Sequence, residues 1–347
     1  MKKTHGTQVK FLILAIGFIV VFFGSFWVGR YDVSPVQTLR ILLDRLLRTV
    51  SFGRWSLAQT WQAREQAVVL NVRLPRVAAA ALVGAALATA GCAYQGMFRN
   101  PMVSPDLLGA STGAGFGAAL GLLLGAGYSA VTGLSFGFGL LAVLLAYLVS
   151  RVSKIQTTLA MVLAGVMISS LFTSGTSFIK LVADPNDQLP AITYWLMGSL
   201  ASIKARDVSF AAAPILLGLA PLWLLRWQVN LLTVSETEAR SMGVHTGRLR
   251  VVVVLCATLM TAGSVAISGM IGWVGLVIPH FGRMIFGQNY RTLIPASTLL
   301  GAVFLMVVDN LARTMTTSEI PLGILTSFVG APVFLYLILS GGTQREH

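Results

Sequence analysis

The sequence predicts an all-α integral membrane protein of about ten transmembrane helices, a single polytopic domain over residues 1–347 with a weak inverted internal repeat. Three observations predict it. Of the residues, 55% are hydrophobic and only 11% are charged, against about 25% charged in soluble domains. The apolar residues come in blocks of roughly 20, the length that crosses a hydrocarbon core as a helix, and the blocks recur along the whole chain. Residues 87–91, LATAG, return as 259–263, LMTAG, with Gly96-Met97 echoed by Gly269-Met270 and Pro105 by Pro279. An odd number of helix steps separates the copies, so they have opposite orientation, a transporter signature.

The apolar runs fall near 11–29, 68–92, 106–126, 130–150, 157–182, 208–226, 250–270, 274–286, 293–311 and 321–340. The first follows Lys2 and Lys3, exceeds the roughly 7–15 apolar residues of a signal peptide and lacks a small-x-small cleavage site, so it reads as a membrane helix. An even number of spans places both termini on the cytoplasmic side. Segment 30–67 then lies outside. It carries Arg40, Arg45, Arg48, Arg54 and Arg64 against the positive-inside tendency, and its leucines among arginines predict an amphipathic surface helix. In 68–92, Arg73, Pro75 and Arg76 stand at the mouth of an uncharged run of small and apolar residues, which leads to the Arg99-Asn100-Pro101 corner. In the next run Gly109, Gly113, Gly117, Gly121 and Gly125 recur every four residues, which puts them on one helix face and predicts close packing against a neighbour. Run 157–182 has a polar face of Thr173, Ser174, Thr176 and Ser177, suited to lining a pathway or to interhelical hydrogen bonds. The short run 274–286, with Gly275, Pro279 and Gly282, predicts a partial helix covered by protein or a polar cavity. In 293–311, Asp309 and Arg313 stand one turn apart and predict either a functional site or a local pair.

The longest interior polar stretch beyond the amino terminus is the loop 230–250. Ser235 and Glu238 form a capping box, and Gly243 is placed to end a helix in the left-handed conformation, so a helix of about two turns is expected along the membrane surface. It serves as a connector or as a docking element for a cytoplasmic partner.

The same residues exclude several functions. The net charge of +13 is spread singly between apolar runs and forms no nucleic-acid patch. There is no G-x-x-x-x-G-K-[ST] phosphate loop, so the chain by itself is no P-loop ATPase. His5, His245, His280 and His347 share no metal-ligand spacing, Cys92 and Cys256 read as small hydrophobes, and no nucleophile motif is present. An intramembrane enzyme is unsupported by these residues.

Seven separated stretches occur in one order: RLPR at 73–76, GMFRNPMVSPDLLG at 96–109, LAGVMISS at 163–170, YWLMGSL at 194–200, ETEARSMGV at 236–244, GWVGLVIPHFGR at 272–283 and IPLGILTSFVGAPVF at 320–334. With them the chain resembles the FecCD-type permeases of ABC importers for iron siderophores, haem and vitamin B12, over about residues 68–341; the first 67 residues match poorly. The resemblance implies a ten-helix subunit of a homodimer or pseudo-dimer in the bacterial cytoplasmic (inner) membrane, with a cytoplasmic ABC ATPase dimer and an extracytoplasmic substrate-binding protein as partners. It implies no cofactor bound directly, ATP being used by the ATPase. It places ATPase coupling at 235–243, on Ser235, Glu236, Glu238, Ala239, Arg240 and Gly243. It implies docking of glutamates of the binding protein on Arg73, Arg76 and Arg313, and a cytoplasmic gate on Asn100, Met102, Thr157 and Thr158, residues that also read as plain turn and cap positions. The expected substrate is a ferric siderophore or related iron chelate, moved by alternating access; the alternative is an ion-gradient-driven secondary transporter.

Overall fold

The computed structural model describes residues 2–29, 31–154, 157–234 and 236–341, which form helices and turns with no strand among them. The helices are α1 Lys2–Gly24, α2 Pro35–Val50, α3 Ala63–Ala67, α4 Leu74–Met97, α5 Ala110–Leu123, α6 Tyr128–Val152, α7 Thr157–Val182, α8 Gln188–Leu196, α9 Ala205–Leu224, α10 Arg226–Leu231, α11 Glu236–Ser241, α12 Thr246–Ser268, α13 Val274–Phe286, α14 Tyr290–Thr314 and α15 Leu322–Gly341. Among the described residues seven helices are long and apolar enough to cross a membrane, and three apolar stretches, α5, α13 and Leu322–Tyr336, are shorter. Together they account for the ten expected runs.

Two boundaries differ from the expectation. Helix α3 continues through a π-helical segment, Val68–Arg73, into α4, so that Ala63–Met97 is one helix of 35 residues. At 1.5 Å per residue it is roughly 52 Å long, well beyond a hydrocarbon core of about 30 Å. Arg64, Glu65 and Gln66 hide its first turns from a search for apolar runs. The run 106–126 is not one helix either. Ser104 caps a 3-10 turn, Pro105–Leu108, and Gly109 at φ +87° redirects the chain before α5 starts. The partial helix expected at 274–286 is α13, 13 residues long.

Helix α4 is the axis of the fold, buried along nearly its whole length. Its alanines and glycines let backbones approach. A Cβ on Gly84 would meet the Gly301 carbonyl of α14 at 2.2 Å, and one on Gly91 the Gly275 carbonyl of α13 at 1.9 Å. The pairs Arg76 with Asp309, Gly84 with Gly301 and Thr89 with Thr298 show α4 and α14 running antiparallel. Of the five glycines expected on one helix face, Gly113, Gly117 and Gly121 pack on α6, against the Phe138 carbonyl, the Leu134 carbonyl and Val131, whereas Gly109 at φ +87° precedes α5 and Gly125 at φ +64° follows it in open space.

The packing carries the repeat. Helix α4 packs on α12, α13 and α14, while α12 packs on α4, α5 and α6. The pairs α5 with α6, α5 with α7 and α6 with α7 match α13 with α14, α13 with α15 and α14 with α15. Exchanging α4–α7 for α12–α15 therefore turns contacts into contacts. The prolines do not obey it: Pro105 opens the 3-10 turn, whereas Pro279 lies inside α13.

Candidate functional site

Three places collect the polar residues of this apolar chain. The first is one end of the bundle, where α4 begins and α14 ends. Arg76 donates to Asp309 from Nε at 2.9 Å and to Glu319 from Nη1 at 2.9 Å. Arg313 closes on the same Asp309 at 3.2 Å, the local pair expected from the i, i+4 spacing. Arg73 donates to the carbonyls of Phe26, at 2.5 Å, and Tyr31, and Arg313 to those of Val28 and Ser25, so the two arginines hold the chain leaving α1. An arginine supplies several donors in a fixed fork and can serve a carboxylate and carbonyls at once.

Arg73, Arg76 and Arg313, the three arginines expected at the docking surface, are turned into the bundle in this structure. They are 4%, 5% and 7% exposed, and their guanidiniums are used within the chain. The reason is electrostatic: Asp309 is buried in α14, and a buried carboxylate requires paired charge.

The second place is the opposite end, at the corner after α4. Arg99, held at φ +52°, donates from Nε to the Leu232 carbonyl at 2.8 Å and from its other end to that of Val234, which ties the corner to the foot of α11. Gln95 donates to the Val103, Gly275 and Leu276 carbonyls and accepts from Arg283 Nη1 at 2.6 Å. A cavity of about 610 Å³ opens here, bordered by Arg99, Asn100, His280, Arg283 and Tyr290. Asn100 and Met102 are exposed at the corner, and Asn100 Oδ1 accepts from the Met102 N–H at 2.9 Å in an Asx-turn.

Thr157 and Thr158 open α7, with Thr158 half-buried. The corner reaches α7 through the turn Pro105–Leu108, where the Leu107 carbonyl would lie 2.2 Å from a Cβ on Gly165, two helical turns beyond Thr158. The expected short helix is present as α11, with Gly243 at φ +77° and the Val244 N–H bonded to the Ala239 carbonyl at 3.1 Å, which closes a Schellman motif. Ala239 is buried and Glu238 exposed. Ser235, with its half of the capping box, lies outside the described residues, as do the side chains of Thr157, Glu236 and Arg240.

The third place was only partly legible in the sequence. Val166, Ser170, Thr173, Ser174 and Ser177 form an exposed stripe on α7, and Ser169, Ser170, Thr173 and Ser174 border a cavity of about 510 Å³ with Ser104 and Asp106. Ser170, Thr176 and Ser177 donate to carbonyls one turn back, which lets a hydroxyl stand in a membrane helix. Ser104 and Asp106 fall in the stretch 96–109 and Ser169 and Ser170 in 163–170, but the sequence assigned them no place beside Thr173 and Ser174; the spacing of 169/170 with 173/174 was the available signal.

Two of the seven stretches, 194–200 and 320–334, also meet in space, beside the end of α12. The Ser199 N–H bonds to the Ser268 carbonyl at 2.8 Å, Leu322 N–H to Gly198 at 2.8 Å and Gly323 N–H to Met197 at 3.1 Å. Gly198 and Gly269 take φ of +75° and +65° to allow it. Such irregular backbone survives in a membrane because its polar groups satisfy one another.

Comparison with known proteins agrees with this construction. The FecCD transport family matches residues 17–340, so the match extends well before residue 68. The molybdate import system permease protein of Haemophilus influenzae is 38% identical over 326 residues, covering 92% of this chain and 93% of that protein. A probable iron chelatin transport system permease protein of Helicobacter pylori is 41% identical over 271 residues, covering 78% and 82%. A solved structure described as an inward-facing conformation of a metal-chelate type ABC transporter superposes with a TM-score of 0.83 at 36% identity, covering 95% of this chain and 98% of that one. With ten apolar helices among the described residues, a repeated four-helix unit and this family match over almost its full length, the chain belongs to the FecCD transport family and is a membrane-spanning ABC importer permease.

Proposed function

We propose that this permease moves a ferric siderophore or related iron chelate by alternating access, driven by a cytoplasmic ABC ATPase dimer and fed by an extracytoplasmic substrate-binding protein. The observation that carries the reading is the exposed hydroxyl stripe of α7 beside the Asp106 cavity. Bonds to carbonyls one turn back satisfy the donors of Ser170 and Ser177, but the lone pairs of an exposed row of hydroxyls are better served by a wet pathway than by lipid. A second copy, or a homologous permease, placed against this face would enclose that pathway.

In this reading both termini are cytoplasmic, α11 receives the ATPase and the corner at Asn100 and Met102 forms the inner gate with the start of α7, Thr157 and Thr158. Glu236, Glu238, Ala239, Arg240 and Gly243 form the coupling element together with Ser235. ATP-driven movement of the ATPases pushes α11, and Arg99 passes the displacement to the corner, a switch between two states of the pathway. On the outer side, Arg76 receives a carboxylate of the binding protein by exchange with Glu319, which is 29% exposed at its side chain. Arg73 and Arg313 support that site by holding the end of α1.

Two relatives favour different cargoes: iron chelatin is named for one and molybdate for another. Proteoliposomes holding the permease, its ATPase and its binding protein decide between them. ATP-dependent uptake of a labelled ferric chelate, unaffected by excess molybdate, is expected. Molybdate uptake in its place would assign the second cargo, and uptake driven by a proton or sodium gradient without ATP would overturn the whole reading.

A further inference from the structure

Helix α2 belongs to neither charged end nor to the hydroxyl face, yet it is carefully built. Ser34 caps it, accepting from the Gln37 N–H at 3.2 Å, and Pro35 occupies its first turn. Thr38, Ile41 and Asp44 are buried, and the helix packs on the π-helical segment Val68–Arg73. The opposite face is the apolar one. Val36, Leu39, Leu43, Leu46 and Val50, spaced alternately three and four residues apart, are 40–68% exposed. Polar residues would be expected on a face turned to water.

The turn that follows extends the stripe. Phe52 is 97% exposed and adopts φ +52°, a conformation costly for a bulky side chain, and Trp55 is 66% exposed. The turn is fixed to the helix: Asp44 accepts from Arg48 Nε at 2.7 Å and from the Leu57 N–H at 2.8 Å, and Ser51 Oγ accepts from the Trp55 N–H at 2.9 Å. Backbone strain spent on displaying an aromatic ring points to something that receives the ring.

Depth identifies the receiver. From Met97 up to Arg76 the long helix rises about 32 Å at 1.5 Å per residue, the thickness of the hydrocarbon core. The π-helical segment just above it therefore sits at headgroup level. Helix α2 packs on that segment through Thr38, Ile41 and Asp44, so its far face looks away from the bundle at the same level. Arg40 and Arg54 stand exposed beside the stripe and in the turn. An apolar face of leucines and aromatics with flanking arginines is suited to the boundary between headgroups and acyl chains.

We propose that α2 and its turn form an interfacial foot: the stripe, Phe52 and Trp55 insert into the leaflet on this side, and Arg40 and Arg54 meet the phosphates of anionic phospholipid. The inference rests on the membrane-spanning fold and holds whichever side faces outward. The full chain in phosphatidylcholine vesicles, with and without phosphatidylglycerol, tests it. Spin labels at Leu39→Cys, Leu43→Cys and Leu46→Cys report position, since Cys92 and Cys256 are buried and do not compete. Collisions with oxygen should exceed those with a water-soluble nickel chelate, and Trp55→Phe should remove part of the quenching by brominated lipid. Replacing Arg40 and Arg54 by Gln should lower the phosphatidylglycerol retained on purification by about fivefold per arginine. Dominant nickel collisions would overturn the proposal. So would labels shielded only after a binding protein is added, label-to-label broadening between two copies irrespective of lipid, or unchanged phosphatidylglycerol retention.

Discussion

Arg76 of α4 and Asp309 of α14 meet at 2.9 Å, both almost wholly buried although 233 positions apart in the chain. The pair joins the axis of the first half of the repeat to a helix of the second. Asp309 also holds Arg313, and Arg76 also holds Glu319, so removing the aspartate leaves two buried cations short of a partner. Asp309→Ala should lower stability by about 3–5 kcal/mol, the cost of breaking a buried pair from one side. Thermal unfolding of the purified permease in detergent measures it, and a midpoint equal to that of the native protein would refute the structural role given to the pair.

The glycine contacts of α4 are steric and set a different test. Gly84→Val would drive a branched side chain into the Gly301 carbonyl and the Leu305 Cβ, neither of which can swing aside. The folded yield should collapse, whereas Gly133→Ala on α6, where a Cβ has open space, should leave it unchanged. Size-exclusion profiles of the two variants compare them directly.

If α7 lines a wet pathway, its exposed hydroxyl positions differ from exposed positions that face lipid. Ser174→Cys should react with a water-soluble maleimide in intact vesicles, and Leu148→Cys on α6, itself 50% exposed, should stay unreactive. Equal reactivity at the two sites would remove the support for a pathway along α7.

Arg99 is the strut between the corner after α4 and the foot of α11. Arg99→Ala should leave assembly with the ATPase intact and reduce the substrate moved per ATP hydrolysed. Gly243→Ala should act in the same direction more weakly, because φ +77° costs a residue with a side chain about 1–2 kcal/mol while the space around it is open. Simultaneous measurement of uptake and ATP hydrolysis in proteoliposomes separates lost coupling from lost assembly.

The sequence by itself determined the all-helical membrane class, the ten apolar runs, the packing glycines of α5 and the short helix ended by Gly243. All of these are local: a run of apolar residues, a four-residue spacing and a cap each act within one element and can be read along the chain. The tertiary structure decided what the charges face. RLPR sits at the edge of an apolar run, and nothing in that string reveals that Asp309 and Glu319, more than 200 positions away, turn Arg76 inward. The same holds for α2, whose pattern of leucines among arginines was visible, but whose apolar face was seen to point away from the bundle only once Thr38, Ile41 and Asp44 were found buried on the side packed on the π-helical segment. Burial of a charge and exposure of an apolar face depend on which helices become neighbours, and that is fixed by the packing of the whole bundle rather than by any one segment.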